Sequence, residues 1–441
     1  MPELAILGAG MAGFGAAHRL FEEGMSPVVY EKESYHGGHT ASFRYPEGFV
    51  FDDGPHISFT KDGRIQSLFA ESVGEYEVLD ARANNYWKGR WIKHPAQCNL
   101  YGLPTDLVVK ILCDFIENQR PQEPPPCNYA EWLIASFGKT FAETFPMEYG
   151  RKYHTTSAEN MTTDWLGPRL YRPKLEEVLR GALSPETPDV HYVGNFRYPS
   201  RGGFVSFLDL FLRQTRPRLG HELVKLDPRV RLLFFSNGVV TGYDHVISTL
   251  PLPELIPRIV DAPPDVVSAA RRLSFTSCVV VNVGVNRPDL SEAHWTYFYD
   301  RDVFFTRVSF PHMLSPNNVP PGAGSLQAEV YFSPNYRPLD RAPEACIDPV
   351  LRDLERCGVL RADDEILFRG ARLVPYANVI FDHDRAEALD VVHGFLDDVE
   401  VGYAGRYGEW GYHWTDESFR SGEKAAEGVL DRLCSRRRTA G

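Results

Sequence analysis

The sequence predicts an α/β protein in which a parallel, nucleotide-binding sheet is assembled from distant pieces of the chain. Three observations predict it. The apolar strand Leu4-Ala5-Ile6-Leu7 runs directly into Gly8-x-Gly10-x-x-Gly13; a helix over 16–23 stops at Gly24, and Val28-Val29-Tyr30 is a second strand ending in Glu31. Strand signals return at 239–243, 246–249 and 278–285, with helical spacing over 265–273 and 347–357. The segment 401–430 then runs strand, glycine-rich turn and helix. Residues 1–81, 195–250 and 395–441 are therefore expected to build one discontinuous nucleotide domain. Residues 82–194 are rich in aromatics and proline. They are expected to form a helical cap, with a break at Pro124-Pro125-Pro126 and a helix over 132–145. Residues 251–394 are expected to form a sheet domain that holds substrate.

Composition narrows the function classes. The chain has 441 residues, and 47 Lys and Arg against 59 Asp and Glu leave a net charge of −12. Such a chain does not attract nucleic acid or anionic lipid through its overall field. No stretch is apolar enough to span a membrane. The apolar start lacks a basic leader and is dense in glycine. The seven cysteines are scattered, without CxxC spacing or a zinc pattern. A cytoplasmic protein without a metal site is expected.

The first motif has a definite chemistry. Gly8 permits the tight turn, Gly10 lets a pyrophosphate approach the backbone, and Gly13 lets helix and strand pack closely. The following helix points its N-terminus at the phosphates. Glu31 ends the next strand, placed to accept hydrogen bonds from ribose hydroxyls, and an acid there disfavours a 2′-phosphate. Near the C-terminus, Gly405-Arg406-Tyr407-Gly408-Glu409-Trp410-Gly411-Tyr412 precedes a helix expected from Ser418. That turn offers N–H groups, and Arg406 adds a charge-assisted donor to a pyrophosphate.

Glu31-Lys32-Glu33-x-x-x-Gly37-Gly38-His39-x-x-Ser42 extends the ribose acid with a glycine pair. This arrangement resembles the flavoprotein superfamily of amine oxidases, protoporphyrinogen oxidases, phytoene desaturases and UDP-galactopyranose mutases. The resemblance implies a Rossmann-type, glutathione-reductase-like FAD-binding domain with an inserted mixed-sheet substrate domain and a helical cap. It places Gly8, Gly10, Gly13, Glu31, Lys32, Gly37, Gly38, His39, Ser42, Gly54, His56, Gly405, Arg406 and Asp416 on the cofactor.

Within that superfamily the chain resembles the mutases, particularly the longer, eukaryotic-type members. Asp53-Gly54-Pro55-His56 is similar to the mutase segment that lays a histidine beside the isoalloxazine. Trp91-Ile92-Lys93-His94-Pro95-x-Gln97-x-Asn99 resembles the segment that holds the nucleotide base. Trp165-Leu166-Gly167-x-Arg169 resembles the segment carrying one substrate-pyrophosphate arginine. Trp295-Thr296-Tyr297 with Arg307 resembles the segment carrying the second. Tyr376 and Tyr412 fall where the resemblance puts two phenols on the same diphosphate. Tyr198-Pro199-x-x-Gly202-Gly203 resembles a mutase loop, and 195–205 is expected to be mobile over the cap. The chain departs from the family at three places. His94 replaces an aromatic that stacks on uracil, Asp416 replaces an asparagine at the flavin edge, and Phe204-Val205 lacks the third loop glycine.

The resemblance implies a pyranose–furanose mutase acting on a nucleotide-diphosphate sugar. Reduced flavin attacks the anomeric carbon through N5, the sugar opens and recloses, and no net redox change occurs. The partner is then a small-molecule nucleotide sugar. Arg169, Arg307, Tyr376 and Tyr412 bind the diphosphate, with Tyr297 and His56 beside them; His94, Gln97, Asn99, Trp165 and Trp295 hold the remainder. Charge chemistry agrees, since a diphosphate needs forked cations and hydroxyl donors. Taken singly, Arg169 and Arg307 are more often surface or helix-end residues, and Tyr297 more often a core ring; their joint spacing favours the site. An FAD oxidoreductase of the amine oxidase, protoporphyrinogen oxidase or desaturase type stays open, as does a non-catalytic flavin module. NADH or NADPH as reductant is open too, without a second dinucleotide fingerprint, and so is a homo-oligomer.

Overall fold

The computed structural model describes residues 3–119, 124–167, 170–188, 190 and 193–439. Its nucleotide sheet has four parallel strands in the order Val401–Tyr403, His245–Ser248, Leu4–Leu7 and Val28–Tyr30. Every residue of Leu4–Leu7 and His245–Ser248 is buried, as expected of strands covered on both faces. The four strands of this sheet thus come from early, middle and late parts of the chain.

The first helix, Met11–Glu22, starts five residues before the expected 16–23. Its first turn is closed on Gly10, whose carbonyl accepts from Phe14 N at 3.0 Å. It crosses the C-terminal helix Thr415–Thr439 in close contact. A Cβ on Gly15 would stand 2.1 Å from the Phe419 carbonyl oxygen, and one on Gly422 would stand 1.9 Å from that of Ala12. Small residues on both helices therefore let the two backbones touch, and the chain's end is docked on its beginning. Phe14, Phe211 and Phe419 close the seam, all buried. Burial of each such ring contributes about 1.5–3 kcal/mol.

The second large element is a mixed seven-stranded sheet. Its order is Ile366–Val379, Phe275–Val285, Gly324–Phe332, Arg307–Ser309, Trp295–Phe298, Ala83–Trp87 and Arg90–Lys93. Residues 82–194 thus begin with two strands at the edge of this sheet, and their helices follow from Thr105–Glu117 onward. The single helix expected over 132–145 is two, Tyr129–Phe137 and Lys139–Thr144. Gly138 (φ +83°) separates them, since a left-handed residue ends the first helix. Pro146–Tyr153 follows at once. Among the described residues no helix is long and apolar enough to cross a membrane. No group of three His, Cys, Asp or Glu among them is placed to hold a metal ion.

Candidate functional site

A cavity of about 440 Å³ runs between the two sheets. At one end it is lined by Gly8, Gly10, Glu31, Lys32, Gly37, Gly38 and Glu222; at the other by His56, Trp295, Tyr297, Arg307, Arg406 and Tyr412. The first end is made by backbone. Gly8 has φ +102°, and a Cβ there would stand 2.2 Å from Thr249 Oγ1. A Cβ on Gly13 would stand 1.9 Å from the Gly8 carbonyl, so Gly13 packs helix on turn and does not line the cavity. Glu31 is buried, and its carboxylate accepts from Ala9 N at 2.8 Å and from Glu33 N at 3.0 Å. It therefore fixes the glycine turn as well as facing the cavity. A cavity with an uncapped helix start, a glycine cradle and an acid in its lining fits a dinucleotide.

His39, Gly54 and Gly405 also line the cavity. His56 Nδ1 lies 2.9 Å from the Gly54 carbonyl. The oxygen can only accept, so Nδ1 carries the proton and Nε2 is the acceptor. Burial lowers the His56 pKa to about 4, aided by Arg406 and Arg307 and opposed by the Gly54 bond. Burial holds His39 well below its ordinary value too, followed by His56 and Arg406. Both imidazoles are neutral at pH 7.

Some expected cofactor residues lie elsewhere. Ser42 does not line the cavity; it donates to Asp52 Oδ1 at 2.5 Å and accepts from Val205 N at 3.1 Å. Asp416 does not line it either, whereas its helical neighbours Thr415 and Ser418 do. Arg406, expected on a pyrophosphate, is carried away from the glycine turn. Its guanidinium stands 4.7 Å over the Tyr412 ring, and Nη2 donates to Asn378 Oδ1 at 2.7 Å.

A second cavity of about 200 Å³ opens beside the first, and Tyr153, Tyr297, Arg307, Tyr412 and Trp414 line both. His94, Gln97 and Trp165 line the second cavity, and Trp295 the first. The His94 ring lies 5.0 Å from that of Tyr297, with Nδ1 3.1 Å from Asn85 Oδ1. Trp295 Nε1 donates to Tyr297 OH at 3.0 Å. Gln97 donates to the Tyr171 carbonyl at 2.9 Å, and Trp165 to that of Thr162 at 3.0 Å. Asn99 is turned away, accepting from Thr187 Oγ1 at 2.5 Å.

Of the four residues expected on a diphosphate, the structure brings two together. Arg307 and Tyr412 share the junction of the cavities. Arg169 lies outside the described residues. Tyr376 lines the first cavity but not the second, stacked on Phe275 at 4.2 Å, and burial and then Glu254 push its hydroxyl pKa upward. The cause is a register shift. Thr276 pairs with Asn378 but Cys278 pairs with Val374, so Pro375, Tyr376 and Ala377 bulge out of the ladder. Asn378 takes the inward place, accepting from Tyr153 OH at 3.1 Å as well as from Arg406.

Arg307 is itself engaged. Nε and Nη2 donate to the two carboxylate oxygens of buried Glu329 at 2.5 and 2.8 Å, and Tyr331 OH donates to the same group at 3.1 Å. Tyr153 and Tyr412 hydroxyls lie 3.0 Å apart. Sequence reasoning missed Tyr149, Tyr153, Glu329, Tyr331 and Asn378. Alternation along Gly324–Phe332 puts Glu329 and Tyr331 on one face, the available signal for that pair.

Comparison with known proteins places this geometry. The family model for flavin-containing amine oxidoreductases matches residues 11–430. A crystal structure of reduced UDP-galactopyranose mutase superposes with a TM-score of 0.92 at 26% identity, covering 98% of this chain and 94% of that one. Cyclohexylamine oxidase from Brevibacterium oxydans IH-35A shares the fold, with a TM-score of 0.69 at 14% identity over 98% of this chain and 99% of that one. A local match to 15-cis-phytoene desaturase of Synechococcus elongatus is 37% identical over 68 residues, 15% of this chain and 14% of the desaturase.

Proposed function

Because the chain belongs to the flavin-containing amine oxidoreductase family, we propose that it is an FAD-dependent pyranose–furanose mutase of a nucleotide-diphosphate sugar. The discontinuous unit 1–81, 195–250 and 395–441 holds the flavin, and residues 82–194 and 251–394 hold the substrate. The observation that carries the reading is the junction of the two cavities, where Arg307 meets the phenols of Tyr153, Tyr297 and Tyr412. The likeness to UDP-galactopyranose mutase supports it.

When bound, reduced flavin supplies the nucleophile for the anomeric carbon. The chain's own residues do the rest. Arg307, held as a flat fork by Glu329, presents its outer edge to the departing diphosphate, and Tyr412 adds a hydroxyl donor without further charge, beside Tyr153, whose own proton goes to Asn378. Neutral His56, with Nδ1–H committed to Gly54, offers Nε2 as an acceptor beside the ring site. Aromatic walls at Trp165, Tyr149 and Tyr297 keep water from the reacting sugar.

The test uses dithionite-reduced holoprotein and UDP-galactopyranose, with products separated by chromatography. The expected result is a furanose product while the flavin stays reduced. A specific observation favours a second reading, an FAD oxidoreductase: Arg307 is already neutralised by Glu329, and the second cavity is walled largely by rings. Stoichiometric bleaching of oxidised enzyme by an organic substrate, with no furanose formed by reduced enzyme, would establish that reading instead.

A further inference from the structure

The cavity holds two guanidinium groups in opposite states of compensation. Arg307 is paired with both oxygens of Glu329. Arg406 is not paired with any carboxylate among the described residues. Its Nη2 donates to the Asn378 side-chain carbonyl at 2.7 Å and its Nη1 to the His413 carbonyl at 3.3 Å; its Nε is enclosed without a partner. Its remaining neighbours are neutral. The guanidinium stands over the Tyr412 ring at 4.7 Å, and His39 and His56, which both feel its charge, are held unprotonated by burial.

A buried cation surrounded by neutral dipoles is expensive unless an anion completes it. The guanidinium cannot shed its proton to escape the cost. The cavity it lines is therefore incomplete without a negative charge at this end. The glycine turn and Glu31 mark the opposite end for pyrophosphate and ribose, which leaves the Arg406 end for the flavin ring. A two-electron-reduced flavin ring carries one negative charge at neutral pH, and the oxidised ring carries none. A fixed cation beside it favours the reduced state by the difference.

We propose that Arg406 is the counter-ion of the reduced flavin ring, and that it sets the reduction potential of the bound cofactor. Two electrons and one proton enter the ring on reduction, leaving it with one negative charge that faces the guanidinium. The inference rests on membership of the flavin family and not on the mutase reading, so it stands whether or not a nucleotide sugar is the substrate.

The experiment measures the midpoint potential of flavin-loaded protein against reference dyes at pH 7, in wild type and three variants. Arg406→Met keeps the aliphatic stem and removes the charge. Its potential is expected to fall by about 30–60 mV, a ten- to hundredfold loss of preference for the reduced form in a two-electron couple. Arg406→Lys keeps a cation and is expected to recover most of the difference. Asn378→Asp keeps the side-chain oxygen that accepts from both Arg406 and Tyr153 and sets a carboxylate against the guanidinium. It should lower the potential in the same direction while Arg406 stays in place, which covers the case in which Arg406→Met loses its flavin. Unchanged potentials in Asn378→Asp and in any loaded Arg406→Met protein would overturn the assignment. So would an Arg406→Lys potential no higher than that of Arg406→Met.

Discussion

The glycine-lined end of the cavity and its tyrosine-lined end are built from different kinds of chain. The first is backbone. Gly8, Gly10 and Gly13 lie within one turn and helix start, and Gly37 N donates to the Ala9 carbonyl at 2.8 Å. The second is side chain, gathered from helix Pro146–Tyr153, from five strands of the large sheet and from the short helix Gly405–Gly408. A backbone site tolerates almost no substitution and is written in consecutive residues. A side-chain site is written in residues hundreds of positions apart, and it can be retuned one group at a time.

The largest effect should come from breaking the backbone end. Gly13→Val would push a branched side chain into the Gly8 carbonyl, where a Cβ alone would already stand 1.9 Å away. The turn and the first helix cannot both keep their places. The expected outcome is protein without flavin, or insoluble protein, read from the ratio of flavin to protein absorbance. A soluble variant with full flavin content would show that this end is not rigid.

The next effect contrasts the two guanidinium groups. Arg307→Met strands the carboxylate of Glu329, which is 3% exposed, in the interior. Truncating one partner of a buried pair costs about 3–5 kcal/mol. The exposed edge of Arg307, with 22% of its side chain accessible, puts the expectation at about 3 kcal/mol by urea unfolding. Arg406→Met strands no carboxylate, and Asn378 keeps its bond from Tyr153. Its cost should stay below about 1 kcal/mol. Equal losses in the two variants would erase the distinction between a compensated and an uncompensated cation.

The same contrast explains what was legible in the sequence. The glycine motif, Glu31, the two short strands and the closing Gly405 turn lie where spacing puts them, because their geometry is local. Arg307 and Tyr412 reach one junction, and His94, Gln97 and Trp165 line the second cavity. The failures are all non-local. A bulge of three residues, Pro375-Tyr376-Ala377, against the single Ser277 keeps Tyr376 from the junction of the cavities and sets Asn378 beside Tyr153, and no periodicity reports a bulge before its partner strand is known. Arg406 was assigned to the nearest phosphate motif, whereas the helix Gly405–Gly408 carries it toward Asn378. Ser42 belongs to Asp52, a pairing visible only once Ser42–Arg44 and Val50–Asp52 are seen as one hairpin.

That last pairing sets the smallest and most specific prediction. Asp52 is buried beneath the segment expected to be a mobile loop. Its Oδ1 accepts from Ser42 Oγ at 2.5 Å and from Phe204 N at 3.0 Å, and its Oδ2 accepts from Tyr198 OH at 2.8 Å. Two of these donors, Phe204 N and Tyr198 OH, thus tie residues 198–204 to the hairpin. Burial nevertheless dominates, and it raises the carboxyl pKa from 3.8 to about 6 against the pull of those donors. The folded state therefore keeps a proton that the unfolded chain releases near pH 4. The resulting contribution to stability is fully present below the unfolded value and is lost as pH rises through about 6. A shift of this size corresponds to roughly 3 kcal/mol. Asp52→Asn cannot titrate, yet it keeps Oδ1 for Ser42 and Phe204. The stability of wild type minus that of the variant, measured by urea unfolding at intervals of pH, should accordingly be greatest near pH 4 and decline by up to that amount by pH 7. A difference that stayed flat, or grew with pH, would mean that the three hydrogen bonds outweigh burial and that Asp52 is an ordinary anion clamping the loop.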